Sequence, residues 1–331
     1  MTRIEQNIIN DKVHLHPAFE RVAQQLTIYI KDGLSPPEVT GAYRSLKWIL
    51  GPSRSGKTQV VDYVHAKFQK LESTDSDNRR MIPVLKVTMR SGGSKGGLAM
   101  AILDSLKMAG FARGSVADKF DLAIRQLELH KVKVLIIDEI QQLTDAGRSK
   151  SIRGAADVLK ELFERVPITF IFVGLPNAEE LCLNNTQLAN RSERRVMFMP
   201  YDYSDQDQMK EFVSAVRGYY DGLVTDPYNI EIGFKTFARA LYYLSAGRFG
   251  LVSNFMHTLQ VEFLRTNGRF GINKNLLGAA AEKIAVDFDL DGNPFDREIS
   301  DREFSVCWER MILREDLSRI VGVNGRLAHH V

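Results

Sequence analysis

The chain of 331 residues is 44% hydrophobic and 26% charged. These are ordinary globular proportions, which exclude wholesale disorder and leave room for a core domain with a smaller companion. No apolar run approaches the roughly 20 residues that cross a bilayer, and the start, Met1-Thr2-Arg3-Ile4-Glu5, carries no secretory hydrophobic region. The formal net charge of +3 is too small to argue for nucleic acid, so such a partner has to be sought in local charge.

Residues 1–44 lack a strong buried strand and read as an N-terminal arm or small helical element. Phe19 to Ile30 has helical spacing, and Gly33-Leu34-Ser35-Pro36-Pro37 is expected to break that helix. Leu46-Lys47-Trp48-Ile49-Leu50 then reads as a strand. It runs directly into Gly51-Pro52-Ser53-Arg54-Ser55-Gly56-Lys57-Thr58, a complete match to G-x-x-x-x-G-K-[ST]. Val60, Val61, Val64 and Phe68 follow at helical spacing.

Strand, glycine loop and helix together make a phosphate cradle. Free backbone N–H groups and the helix N-terminus face the anion, and the glycines permit the tight turn. Residues 51–58 and the adjoining Gln59 are therefore the candidate nucleotide-binding residues. Lys57 can reach the outer phosphates, and the Thr58 hydroxyl can ligate Mg²⁺.

Residues 72–80 read as a polar loop and 82–88 as a second strand. Gly92-Gly93-Ser94-Lys95-Gly96-Gly97 is again glycine-rich, but it lacks the Gly-Lys-Thr ending of a phosphate loop. Val134-Leu135-Ile136-Ile137-Asp138-Glu139 describes a central parallel strand, buried on both faces, that ends in two carboxylates. Asp138 is placed to hold Mg²⁺ directly or through water, and Glu139 to orient and deprotonate an attacking water. A protein that only holds nucleotide has no need of the glutamate, so hydrolysis is expected.

Ile168-Thr169-Phe170-Ile171-Phe172-Val173 is a further strand, leading into Gly174-Leu175-Pro176-Asn177. Asn177 is a candidate sensor of the outer phosphate or the attacking water; capping of the next helix is the other reading of Pro-Asn. With a last strand at 195–199, the segment 45–200 is expected to be an α/β core with a five-stranded parallel sheet between helices.

After Pro200 the pattern changes. Helical spacings run through 205–221, 233–244, 248–265 and 273–287, a small helical domain over 201–287. Residues 288–331 form a tail that starts acidic and then carries Trp308 and several arginines.

Cys182 and Cys307 lack metal-ligand spacing and are expected to be reduced thiols of a cytoplasmic protein. The histidines form no zinc signature, and His14, His16, His329 and His330 fall in ends expected to be flexible. Basic residues gather at Arg90 and Lys95, at Arg148, Lys150 and Arg153, and at Arg191, Arg194 and Arg195. Any one such cluster is ordinarily a solvated surface.

A phosphate loop, an Asp-Glu strand, a polar sensor strand and a helical lid resemble the AAA+ ATPases, over roughly residues 30–290. The resemblance implies an arginine finger acting on a neighbouring subunit's nucleotide. The segment Gln187-Leu188-Ala189-Asn190-Arg191-Ser192-Glu193-Arg194-Arg195 takes that place, with Arg191 the first choice and Arg194 and Arg195 its rivals. Ser245-Ala246-Gly247-Arg248 likewise makes Arg248 the candidate second sensor.

Within AAA+ the chain is most similar to the TniB/TnsC regulators of DNA transposition, including those of transposons that carry CRISPR targeting complexes. The runs Ile136-Ile137-Asp138-Glu139-Ile140-Gln141-Gln142-Leu143 and Phe172-Val173-Gly174-Leu175-Pro176-Asn177-Ala178-Glu179 carry this, with Gln141-Gln142 departing from many relatives. It implies ATP and Mg²⁺ as cofactors, a homo-oligomeric ring or filament on duplex DNA, and a link between target-selection proteins and a transposase. Arg90, Lys95, Arg148, Lys150 and Arg153 are then the candidate contacts to the DNA backbone. Two other readings share the site: a replication initiator or helicase loader, and a signalling NTPase that acts on protein partners without DNA.

Overall fold

The computed structural model describes residues 16–35, 45–144, 149–183, 185–193, 195–266, 271–285, 292–315 and 317, with backbone alone at 149–151 and 182–183. Arg148, Arg194, His14, His329 and His330, the side chains of Lys150 and Cys182, and parts of the expected N-terminal arm and tail fall outside the described residues. The chain divides into two compact units. One comprises Arg21–Gly51 and Lys57–Phe198; the other comprises Met1–Glu20, Pro52–Gly56 and Met199–Val331.

The first unit is built on a parallel sheet of five strands: β1 (Leu46–Leu50), β4 (Val84–Thr88), β5 (Val134–Asp138), β6 (Thr169–Gly174) and β7 (Val196–Met197). Their order is β4-β5-β6-β1-β7. Every pairing is parallel, with Leu135 opposite Leu85 and Phe170, and Ile49 opposite Val173 and Val196. The α/β class and all five strands are as the sequence predicts.

Side chains alternate between the two faces of this sheet. Trp48, Leu50, Leu85, Val87, Leu135, Ile137, Phe170 and Phe172 share one core with α3 (Lys95–Ser105), α4 (Val116–Leu129) and α5 (Ser149–Arg165). Trp48 stays polar-satisfied within it, donating its indole N–H to Ser192 Oγ at 2.7 Å. The opposite face carries Lys47 and Lys86. Lys47 is buried, lies under the Tyr29 ring of α1 (Pro17–Leu34), and is neutralised by Asp32 at 3.3 Å and Glu193 at 2.9 Å.

Helix α1 ends at Leu34, inside the stretch Gly33-Leu34-Ser35-Pro36-Pro37 that the sequence marks as its breaker, and the bare Gly33 backbone packs where a Cβ would lie 2.7 Å from Val134 and 2.8 Å from Thr169. Two expectations are corrected. The polar stretch 72–80 is not all loop, since β2 (Ser73–Thr74) and β3 (Arg80–Met81) pair antiparallel within it. His16 does not belong to a flexible end: it is buried, with its Nδ1 2.7 Å from the Tyr201 hydroxyl and its ring 4.0 Å from that of Phe249.

The first unit also has two short helices, α6 (Glu180–Leu183) and α7 (Thr186–Ala189). The second unit holds helices α8 (Gln206–Leu223), α9 (Phe234–Ser245), α10 (Phe249–Arg265), α11 (Lys274–Ile284) and α12 (Asp301–Arg314). The first four match the helical spacings read after Pro200. Their core is aromatic, with Phe212 against Tyr242 and Phe249, and Phe237 against Phe255 and Phe295. Helix α12 lies in the segment read as a tail. It opens on a reciprocal capping box between Ser300 and Glu303 and buries Phe304, Cys307, Trp308 and Met311. Burial pushes the Cys307 thiol up to about 12, so it stays protonated at neutral pH.

Candidate functional site

Two loops leave the carboxyl edge of the sheet side by side because their strands are only one strand apart, β5 and β1 flanking β6. This edge, where the strand order reverses, is the ligand edge of open α/β sheets. The loop after β1 turns through left-handed backbone at Arg54 (φ 61°) and Gly56 (φ 103°) before α2 (Lys57–Gln69) begins. Lys57 is buried and donates to the Gly51 carbonyl at 2.9 Å, which folds its ammonium back over the start of the loop.

Thr58, the first full turn of α2, meets the end of β5. Its hydroxyl donates to Asp138 Oδ2 at 2.9 Å, while Asp138 Oδ1 accepts the Glu139 N–H at 2.9 Å. Asp138 is fully buried. Paired hydroxyl and carboxylate oxygens of this kind are hard ligands suited to Mg²⁺. In the loop itself, Ser55 Oγ is buried with no hydrogen-bond partner. An unpaired hydroxyl in a concave, N–H-lined turn fits a phosphate oxygen. The residues present therefore suit a magnesium nucleotide.

Glu139 adopts left-handed backbone (φ 57°) as the chain leaves β5. Its carboxylate accepts from the side-chain amide of Gln141, whose own Oε1 accepts the Leu175 N–H at 3.2 Å. Gln141 thus ties the glutamate to the end of β6, a positioning role that its sequence neighbours did not announce. A second residue missed by sequence is Lys86 of β4. It pairs with Asp62 of α2 and lies 3.8 Å from Asp138 Oδ2. The signal was available: a lysine between Leu85 and Val87 in a buried strand requires a carboxylate partner.

The remaining candidates are placed as follows. Asn177 is exposed in the short turn Pro176–Glu179 just past β6, and no side-chain bond caps that turn. Arg191 is exposed, with its guanidinium 5.0 Å from the Phe163 ring, and Arg195 pairs with Glu179. Arg90 is exposed 3.6 Å from Asp104, and Arg153 is exposed on α5. Lys95 is engaged, 2.6 Å from Glu161 and over the Phe120 ring.

In the second unit, Arg248 stands at the start of α10, is 1% exposed, and donates to the Ser245 carbonyl at 3.0 Å. Two residues on, Gly250 packs directly on the phosphate loop. A Cβ there would lie 2.4 Å from the Arg54 oxygen and 2.8 Å from the Gly56 nitrogen. Gly250→Ala is therefore expected to displace the loop backbone and weaken nucleotide affinity by about tenfold or more, at the overpacking cost of ~1–3 kcal/mol. Titration with ADP by calorimetry checks this, and unchanged affinity would show that the loop yields freely.

A family model described as the bacterial TniB protein matches residues 6–199, more than half of the chain. No curated protein sequence matches. Among solved structures, the ADP form of ORC2 from Aeropyrum pernix aligns with a TM-score of 0.56 at 12% identity, covering 84% of this chain and 71% of its own. Cdc6p from Pyrobaculum aerophilum aligns with a TM-score of 0.55 at 15% identity, covering 86% and 71%. At such identities the likeness concerns the fold, which is that of the AAA+ ATPases. By its sequence and by that fold, the chain belongs to the bacterial TniB family of AAA+ proteins.

Proposed function

We propose that the protein is an ATP-hydrolysing regulator of DNA transposition, a cytoplasmic bacterial protein that assembles on duplex DNA. The observation that carries the reading is the joining of Thr58, Asp138 and Glu139 at one sheet edge, in a chain of the TniB family. Backbone N–H groups of residues 54–58 and the Lys57 ammonium hold the phosphates. The Thr58 hydroxyl and the Asp138 carboxylate would hold Mg²⁺, which would supply charge neutralisation at the phosphates. Glu139, released from Gln141, takes a proton from the attacking water, giving ADP and inorganic phosphate. Asn177 senses the outer phosphate, and Arg248 reports the bound state from the helical unit.

An arginine of the next subunit, Arg191 before Arg194 or Arg195, completes the site, so that nucleotide forms part of the subunit interface. The ring or filament contacts the DNA backbone through Arg90 and the basic residues 148–153, with Lys95 joining only if it leaves Glu161. It links target-selection proteins to the transposase, as in the TnsC proteins of CRISPR-carrying transposons, and hydrolysis drives disassembly. Among the described residues no helix is long and apolar enough to cross a membrane.

Duplex DNA binding with ATP, ADP or a non-hydrolysable analogue, imaged by negative stain, tests it. Assemblies are expected on DNA with triphosphate only. Phosphate contacts predict an affinity that falls about 10³-fold or more between 50 and 200 mM salt if roughly six phosphates are neutralised. No DNA association in any state would favour a signalling ATPase acting on proteins. Since the fold is also that of ORC2 and Cdc6p, helicase delivery without transposase stimulation would favour the loader reading.

A further inference from the structure

The phosphate loop already holds an anion from its own chain. The backbone N–H of Ser53 donates to the carboxylate of Glu315 at 2.7 Å, across 262 residues of sequence. The other carboxylate oxygen lies 3.9 Å from the guanidinium of Arg248. Neither side chain of that pair is open to solvent, at 1% exposure for Arg248 and 9% for Glu315.

Local forces do not put a carboxylate there. Glu315 is the C-cap of α12, where the helix dipole disfavours negative charge. Nor is a buried carboxylate tolerated without donors. Its place is explained by the one N–H donor and the one cation it meets, and both belong to the nucleotide site. Ser53 is the third residue of the phosphate loop, and Arg248 is the candidate second sensor. The Lys57 ammonium, which serves the outer phosphates, is held at Gly51, two residues before Ser53. The start of the loop is therefore where the terminal phosphate arrives.

We propose that Glu315 competes with the terminal phosphate of a nucleoside triphosphate for Ser53 N–H and Arg248, so that triphosphate and the end of α12 exclude one another at the loop. The proposal rests on the nucleotide reading above and adds a discrimination to it. A diphosphate leaves Glu315 in place; a triphosphate displaces it and frees the end of α12. Residue 315 thereby sets the preference between the two nucleotides and transmits it to the C-terminal helix.

The test uses the full chain and its Glu315→Ala and Glu315→Gln variants. Affinities for ADP and for a non-hydrolysable ATP analogue are measured with Mg²⁺ by calorimetry. Removing the competing carboxylate is expected to tighten analogue binding by about tenfold in the alanine variant, as befits a charge-assisted hydrogen bond, and by less in the glutamine variant. ADP affinity is expected to change by less than about twofold. In the unaltered protein, amides of 301–314 are expected to exchange faster with the analogue than with ADP.

Analogue affinity that is unchanged or weakened in both variants overturns the proposal, as does equal exchange of α12 with both nucleotides. Equal tightening for ADP and analogue overturns the discrimination. If the unaltered protein binds neither nucleotide, the nucleotide reading itself fails, an outcome distinct from all of these.

Discussion

Lys57→Ala is expected to lower nucleotide affinity by at least about a hundredfold and to abolish nucleotide-dependent assembly. The ammonium is buried, folded back over the loop by its bond to the Gly51 carbonyl. It is thus prepositioned, and on the proposed reading its contacts to phosphate would be charge-assisted bonds worth ~1.5–3 kcal/mol each. Alanine removes the charge and leaves the Gly51 oxygen without this donor. Lys57→Met keeps most of the stem, so a melting curve of both variants separates lost binding from lost packing. Binding is read with a fluorescent ADP analogue; near-normal affinity in both variants would mean that the loop does not hold phosphate.

Glu139→Gln should cut hydrolysis by about 10²–10⁴-fold, the usual contribution of a general base. Nucleotide affinity should stay close to normal, because the phosphate-binding groups are other residues. The variant is nearly isosteric, and its oxygen can still accept from the Gln141 amide that holds Glu139. Assembly with ATP should therefore persist and no longer decay. Single-turnover phosphate release measures the chemical step directly. Normal release would move the base elsewhere and reduce Glu139 to a structural turn.

The legible parts of the molecule share one property, that their information is local. Parallel strands buried on both faces are continuous apolar runs, so 46–50, 134–138 and 169–174 stand out in the sequence. The phosphate loop is written in eight consecutive residues, and Asp138-Glu139 follows its strand directly. The helical unit was readable because α8 to α11 keep their apolar spacing.

Much of what escaped depends on partners distant in sequence. Glu315 has meaning only beside Ser53 and Arg248, and His16 only beside Tyr201 and Phe249. The hairpin β2–β3 is polar and largely exposed, so no periodicity marks it. Helix α12 was legible, since Ser300-Asp301-Arg302-Glu303 spells a capping box, but the acidic stretch before it masked the start. Lys86 was readable in part: its burial demanded a carboxylate, yet nothing local named Asp62 and Asp138.

The left-handed backbone at Glu139 has an evolutionary consequence. A residue with a Cβ gives up roughly 1–2 kcal/mol in that conformation, and glycine or asparagine would suit it better. Drift towards a sturdier fold therefore runs towards losing the carboxylate. If Glu139 is the proposed base, a TniB-family descendant that needs only its scaffold has an easy downhill route out of hydrolysis at this position, and one that keeps glutamate here does so against the preference of its own main chain.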